Sequence, residues 1–189
     1  MGRIRYGIKN AYYAVATDDG SGNLTYASPV AIPGAKSISL DAQGDAVDEF
    51  ADNTTWWHGD VNNGYSGSIE FEDTAALETF LTSVLGQTKD STTGVITEKA
   101  SDTPKEFALG FQFELDGSTE TGKRVWMLRV KAARPSISGQ TKESGITVAT
   151  NTVNITALPR VSDDAVKKTC ISSDSAYTNW FSAVEQTTT

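Results

Sequence analysis

The sequence predicts a mainly β fold, a β-sandwich or barrel with one flanking α-helix, long loops and a C-terminal extension. Three observations carry that expectation. Thr and Ser crowd both the turn-like and the strand-like segments, as suits a pleated, half-buried surface. Several short segments alternate polar and apolar residues with period two. A single stretch shows an unambiguous helical stripe.

Taken in order, Ala11–Thr17 (AYYAVAT) is β-prone, and the turn formers Asp18–Asn23 (DDGSGN) precede a short strand at Leu24–Tyr26. Lys36–Leu40 (KSISL) alternates as a half-buried strand does. Asp41–Gly64 then breaks the pattern and reads as a long loop. It is acidic early (Asp41, Asp45, Asp48, Glu49, Asp52), aromatic in the middle (Phe50, Trp56, Trp57) and turn-rich at its end. With so little self-contained core, this loop is expected to be mobile in a free chain. Ser66–Phe71 resumes the alternation.

In Thr74–Leu85 the residues Leu77, Phe80, Leu81, Val84 and Leu85 fall on one helical stripe, with Asp73 as N-cap and Gly86 just past the end. This helix is expected to cover one face or one open end of a sheet. Gln87–Lys105 is polar and reads as a long loop or small hairpin. Phe107–Leu115 and Arg124–Ala132, joined by the turn sequence Asp116–Lys123, read as an antiparallel pair that Pro135 terminates. Ile146–Leu158 is a long Thr/Val/Ile strand stopped by Pro159. Near the end, Tyr177, Trp180, Phe181 and Val184 sit at helical spacing; so short a segment needs a surface to pack on, in its own sheet or in a neighbour. The division expected is a β domain over 1–160 and a C-terminal extension over 161–189.

Composition narrows function. In 189 residues, 38% are hydrophobic and 21% charged, enough apolar material for one domain with a core. The formal net charge of -8 argues against a protein that grips nucleic acid or docks on anionic lipid. One cysteine, Cys170, allows no internal disulfide and suits a reducing compartment. The first residues hold no apolar core of a signal peptide, and no stretch approaches the roughly 20 apolar residues of a membrane-spanning helix.

Chemistry-bearing motifs are few. Gly117–Lys123 matches the spacing of a phosphate-cradling G-x-x-x-x-G-K loop, but Arg124 stands where a Ser or Thr is needed. The residues after it read as a strand, with no helix N-terminus to hold an anion, so the segment reads as a hairpin turn. His58 is the sole histidine, so a zinc site would rest mostly on carboxylates, and no nucleophile motif accompanies it. The Glu70, Glu72 and Asp73 cluster reads as a solvated face and helix-start charge. Trp56–Trp57 and Tyr12–Tyr13 could stack on sugars, but neighbouring strand residues point to opposite faces, and packing in a core or interface is the commoner fate. The Asn-x-Thr sequences at Asn23, Asn53 and Asn154 have no secretory context. Arg124, Arg129, Lys131 and Arg134 form one basic run, expected to be met by carboxylates of the same chain or of a second copy. Catalytic, cofactor and metal sites are all expected to be absent.

An ordered series of short motifs runs through nearly the whole chain. It comprises Arg5-Tyr6-Gly7 with Lys9-Asn10, Ala31–Ala35, Ser39-Leu40, Gly44-Asp45, Ala51-Asp52-Asn53 and Asn63–Gly67 with Glu70. It continues through Leu85-Gly86, Phe107-Ala108-Leu109, Ala133-Arg134-Pro135, Thr141-Lys142-Glu143, Ile155-Thr156-Ala157 and Trp180-Phe181. In this the chain resembles the major tail protein (tail tube protein) family of long-tailed siphophages that infect Gram-positive bacteria. The departures lie in loops and after Glu185.

The resemblance implies a non-enzymatic virion subunit, assembled in the host cytoplasm, that forms hexameric rings stacked into a tail tube. Its partners would be copies of itself, the tape measure protein, the tail terminator and the distal tail protein. DNA would pass through the lumen unbound, and no membrane is involved. Contacts between subunits or rings are expected at Asp52, Asn53, Trp56, Trp57, Asn63, Tyr65, Arg129, Lys131, Trp180 and Phe181. The alternatives are another virion structural protein, for capsid decoration or head–tail joining, or a carbohydrate-binding module.

Overall fold

Strand β1 (Ile4–Asp18) is long enough to set the shape of the molecule, and it does so by bending twice. Its pairing with β10 slips between Tyr6 and Ile8 and again between Lys9 and Tyr12. Gly7 (φ 57°) and Asn10 (φ 53°) occupy the left-handed region at these two bulges. Each bulge adds an unpaired residue and sharpens the local twist, so the sheet curls. The computed structural model describes residues 3–116, 120–137, 141 and 150–184.

The remaining strands are, in order, β2 (Leu24–Tyr26), β3 (Val30–Ile32), β4 (Ala35–Gln43), β5 (Ala46–Ala51), β6 (Thr54–Asp60) and β7 (Gly64–Phe71). Helix α1 (Ala75–Leu85) precedes β8 (Thr88–Lys89), β9 (Ile96–Thr97), β10 (Phe107–Asp116), β11 (Gly122–Ala132), β12 (Asn151–Leu158) and β13 (Lys167–Ile171). The main sheet is antiparallel, in the order β2-β1-β10-β11-β12-β7-β4, with β3 beside β1 and β13 beside β11. No backbone pairing joins β4 to β1 among the described residues, so the barrel is not closed. The curled sheet makes a sandwich, and its two halves press one core between them.

That core joins Tyr13, Phe107, Leu109 and Phe111 from one half to Ile69, Phe71, Val153 and Ile155 from the other. Helix α1 adds Leu77, Phe80, Val84 and Leu85. Phe80 sets its edge against Tyr13 at 5.1 Å and Phe107 at 5.4 Å, plugging one end of the sandwich. The helix cap differs from expectation: Thr74, not Asp73, has the extended backbone, and its hydroxyl accepts a hydrogen bond from the Leu77 amide.

β10 and β11 are buried on both faces. Their outer side chains Ala108, Trp126 and Leu128 form a second core with Cys170 of β13 and with Trp180 and Val184. The Trp126 indole N–H donates to the Trp180 carbonyl at 3.0 Å, and Phe181 stacks on Tyr12 at 4.5 Å. The closing segment is a 3₁₀ turn (Ser175–Tyr177) followed by further turns, too short for the helical period suggested by its aromatics. By contrast, the outer face of β12, β7 and β4 is polar, with Thr156 opposite Ser66 and Asn154 opposite Ser68.

Two further elements differ from expectation, and one open alternative resolves. Asp41–Gly64 is not a loop: β4 runs on to Gln43, and β5 and β6 form a hairpin. Within Gln87–Lys105, β8 and β9 form a two-residue hairpin around a turn held by the Asp90 carboxylate. β13 leaves no signal in the sequence, because only Cys170 of its five residues is buried and there is no apolar alternation. Of the expected strand Ile146–Leu158, residues 146–149 lie outside the described residues, as do Gly117–Thr119 of the phosphate-loop lookalike and Lys142-Glu143 of the motif series. The strand β11 starts at Gly122, inside the lookalike. Replacing Phe80 with Ala removes the end plug and leaves a cavity, so we expect a loss of about 3–5 kcal/mol in chemical denaturation.

Candidate functional site

The feature least accounted for by the chain's own packing is the β5–β6 hairpin. A two-stranded ribbon is only marginally stable by itself, yet β5 and β6 pair with each other and pack little on the body. Asp52 (φ 50°) and Asn53 (φ 60°) make the turn, the left-handed pair that a two-residue type I′ loop demands. At the base, the Asn63 amide donates to the Gln43 carbonyl at 2.9 Å, and the Asn62 side chain caps the Gly64 amide at 3.0 Å.

The ribbon exposes what a soluble monomer normally hides. Phe50 is 69% exposed, Trp56 74% and Trp57 55%. Pairing slips between Glu49 and Phe50, leaving Trp56 as the extra residue of a bulge. The Trp57 ring lies over Gly59, where an added Cβ would fall 2.2 Å from it. His58 sits across from Asp48 and two residues before Asp60, and its ring pairs with both carboxylates. The Asp48 hydrogen bond first, then the Asp60 charge, push the His58 pKa up. Among the described residues no cluster of His, Cys, Asp and Glu is arranged to hold a metal ion.

The other singled-out residues are scattered. Tyr65 is the second residue of β7 and accepts a hydrogen bond from Lys167, whose ammonium sits 4.6 Å from its ring centre. Trp180 is 4% exposed, and both it and Phe181 pack in the second core of their own chain. Arg129 grips Glu106 with two hydrogen bonds of 2.9 and 3.0 Å, and Lys131 joins the same carboxylate at 3.3 Å. Arg134 meets Glu98 at 2.9 Å. Arg124 departs from the carboxylate pattern: it bonds Gln112 and the Tyr177 carbonyl and lies on the Tyr177 ring. Burial opposes the Glu106 charge, but the Arg129 and Lys131 hydrogen bonds outweigh it and hold its pKa below the ordinary value. Burial likewise lifts the Cys170 thiol to about 11, which keeps it protonated and inert.

No family model and no curated protein matches the chain. Among solved structures, a chain of the anti-feeding prophage baseplate, determined by cryo-electron microscopy with six-fold symmetrisation, aligns with a TM-score of 0.41 and 10% identity. The alignment covers 87% of this chain and 95% of that one. Likeness at that level leaves function to the geometry of the chain itself. No helix among the described residues is long and apolar enough to cross a membrane.

Two outcomes are expected. Trp56→Ala and Trp57→Ala should each shift thermal unfolding by no more than about 0.5 kcal/mol, because their rings contribute little to either core; a large drop would place them in the subunit's own packing. Glu106→Gln should destabilise by about 1–3 kcal/mol at neutral pH. Because the folded pKa of Glu106 is depressed, its contribution is present above the ordinary glutamate pKa and is lost as pH falls through the folded value. Acid titration of the variant should therefore show a shallower decline than the wild type.

Proposed function

We propose that this chain is a structural subunit that polymerises as stacked hexameric rings, forming a phage tail tube through which DNA is ejected, and that it is not an enzyme. The observation that carries the reading is the β5–β6 arm. It is a paired, acidic hairpin with three exposed large aromatics, and it packs little on a body whose own cores are already complete. Exposed apolar surface of this kind marks an interaction site, and in a repeating polymer the partner is the next copy. The ordered motif series supports the same reading: Ala51-Asp52-Asn53 builds the arm's tip and Asn63–Gly67 its return to the sheet. Copies would meet the tape measure protein inside the tube and the terminator and distal proteins at its ends, in the virion tail.

Charge supports a conduit in place of a nucleic-acid binder. The net charge is -8, and Arg129, Lys131 and Arg134 are each held by carboxylates of the same chain. A lumen wall without free cations would let DNA slide, whereas a cationic wall would hold it.

Negative-stain microscopy of concentrated protein should show rings or tubes, and Trp56→Ala should weaken them by about 2 kcal/mol per contact or more, seen as a higher assembly threshold. A strictly monomeric protein at millimolar concentration, even with tail initiator proteins present, would overturn the reading. A capsid-decorating protein would instead bind a preformed lattice and make no rings by itself. DNA binding should be unmeasurable at physiological salt; submicromolar, salt-dependent affinity would point to a nucleic-acid binder.

A further inference from the structure

At the end of the sandwich opposite α1, the curled sheet leaves a cavity of about 190 Å³. Leu40, Phe111 and Met127 supply apolar lining, and Arg5, Lys123 and Lys167 bring three cations to it. The polarity is unusual for this chain, which has 24 acidic and 16 basic residues. Many of the other cations meet carboxylates, among them Lys9, Lys36, Lys89, Arg129, Lys131, Arg134 and Arg160, while Arg124 is held by Gln112 and Tyr177. Among the described residues, Arg5, Lys123 and Lys167 meet no carboxylate. Arg5 lies over the Phe113 ring at 4.6 Å, and Lys167 over Tyr65. Three positive groups around an apolar floor form a receptor for something both apolar and acidic.

The arm has that composition at its tip. Phe50 is exposed beside Glu49, with Asp52 two residues on, and neither carboxylate meets a cation among the described residues. The cavity of the same chain is out of the tip's reach. Leu40 lines it and Tyr65 borders it near the base of the arm, while the tip lies some eight strand residues further, roughly 25 Å away.

We propose that the tip of the β5–β6 arm, led by Phe50, docks in this cavity of a neighbouring copy, with Glu49 and Asp52 facing Arg5, Lys123 and Lys167. The contact rests on the self-assembly proposed above and supplies its receptor. It is heterologous: each copy gives an arm to one neighbour and takes one from another, so it closes into a ring or continues as a filament. Burying an aromatic among opposite charges fixes the register as well as the affinity.

Two full-length variants test it, one reversing the receptor (Lys123→Glu with Lys167→Glu) and one reversing the arm (Glu49→Lys with Asp52→Lys). Each alone should raise the assembly threshold roughly ten-fold or more. An equal mixture should assemble, because every arm then finds a receptor of opposite charge on the other variant. Independently, Asp52→Cys combined with Lys123→Cys should form disulfide-linked multimers between copies under mild oxidation, with buried Cys170 silent. The linkage test stands even if a charge variant fails to fold. Wild-type-like assembly of the receptor variant, or tubes that form without the 52–123 link, would overturn the docking and leave self-assembly standing. Absence of both assembly and linkage at millimolar concentration would overturn the two readings together.

Discussion

The β10–β11 hairpin is apolar on both faces, and most of the molecule is arranged to cover it. Phe107, Leu109 and Phe111 point inward and Ala108, Trp126 and Leu128 outward, all of them buried. Water must therefore be excluded from two sides at once. The inner side is covered because the bulges in β1 curl the sheet until β12, β7 and β4 lie across it. The outer side is covered by β13 and the turns that carry Trp180 and Phe181. Placing the indole N–H of Trp126 against the Trp180 carbonyl satisfies a donor that could not otherwise be buried cheaply. The C-terminal segment is thus part of the subunit's own core.

This arrangement decides which surfaces remain for other molecules. The outer face of β10–β11 is sealed, and α1 closes one end. The surfaces left are the polar outer face of β12, β7 and β4, the open edge of β4, the cationic cavity and the arm. Of these, among the described residues, the arm and the cavity combine apolar area with unbalanced charge. In the proposed docking, complementarity between them, and not area alone, would select the register between copies.

Much of this was legible in the sequence where one physical rule dominated. The stripe Leu77–Leu85 required a helix, and the FALGFQFEL and RVWMLRVKA segments required paired strands. For Trp56 and Trp57 the sequence left core and interface packing open, and their exposure removes the first. Besides β13, two things that bear on the candidate site were not legible. The arm looked like a loop because its strands, AVDEFA and TTWWHGD, have no polar–apolar alternation and bury nothing, so burial periodicity had no purchase; the Asp52-Asn53 turn was the available clue. The cavity was invisible because Arg5, Lys123 and Lys167 belong to three strands distant in sequence and brought together only by the curl of the sheet.

The arm's acids have a second consequence. A bare ribbon with two open edges and exposed Phe and Trp is the kind of segment that seeds indiscriminate strand addition. Asp48, Glu49, Asp52 and Asp60 act as gatekeepers: stacking identical ribbons in register would set like charges beside like at every layer. The same charges leave an oppositely charged receptor as the favourable destination. The ribbon can therefore stay uncovered without collapsing into amyloid-like stacks.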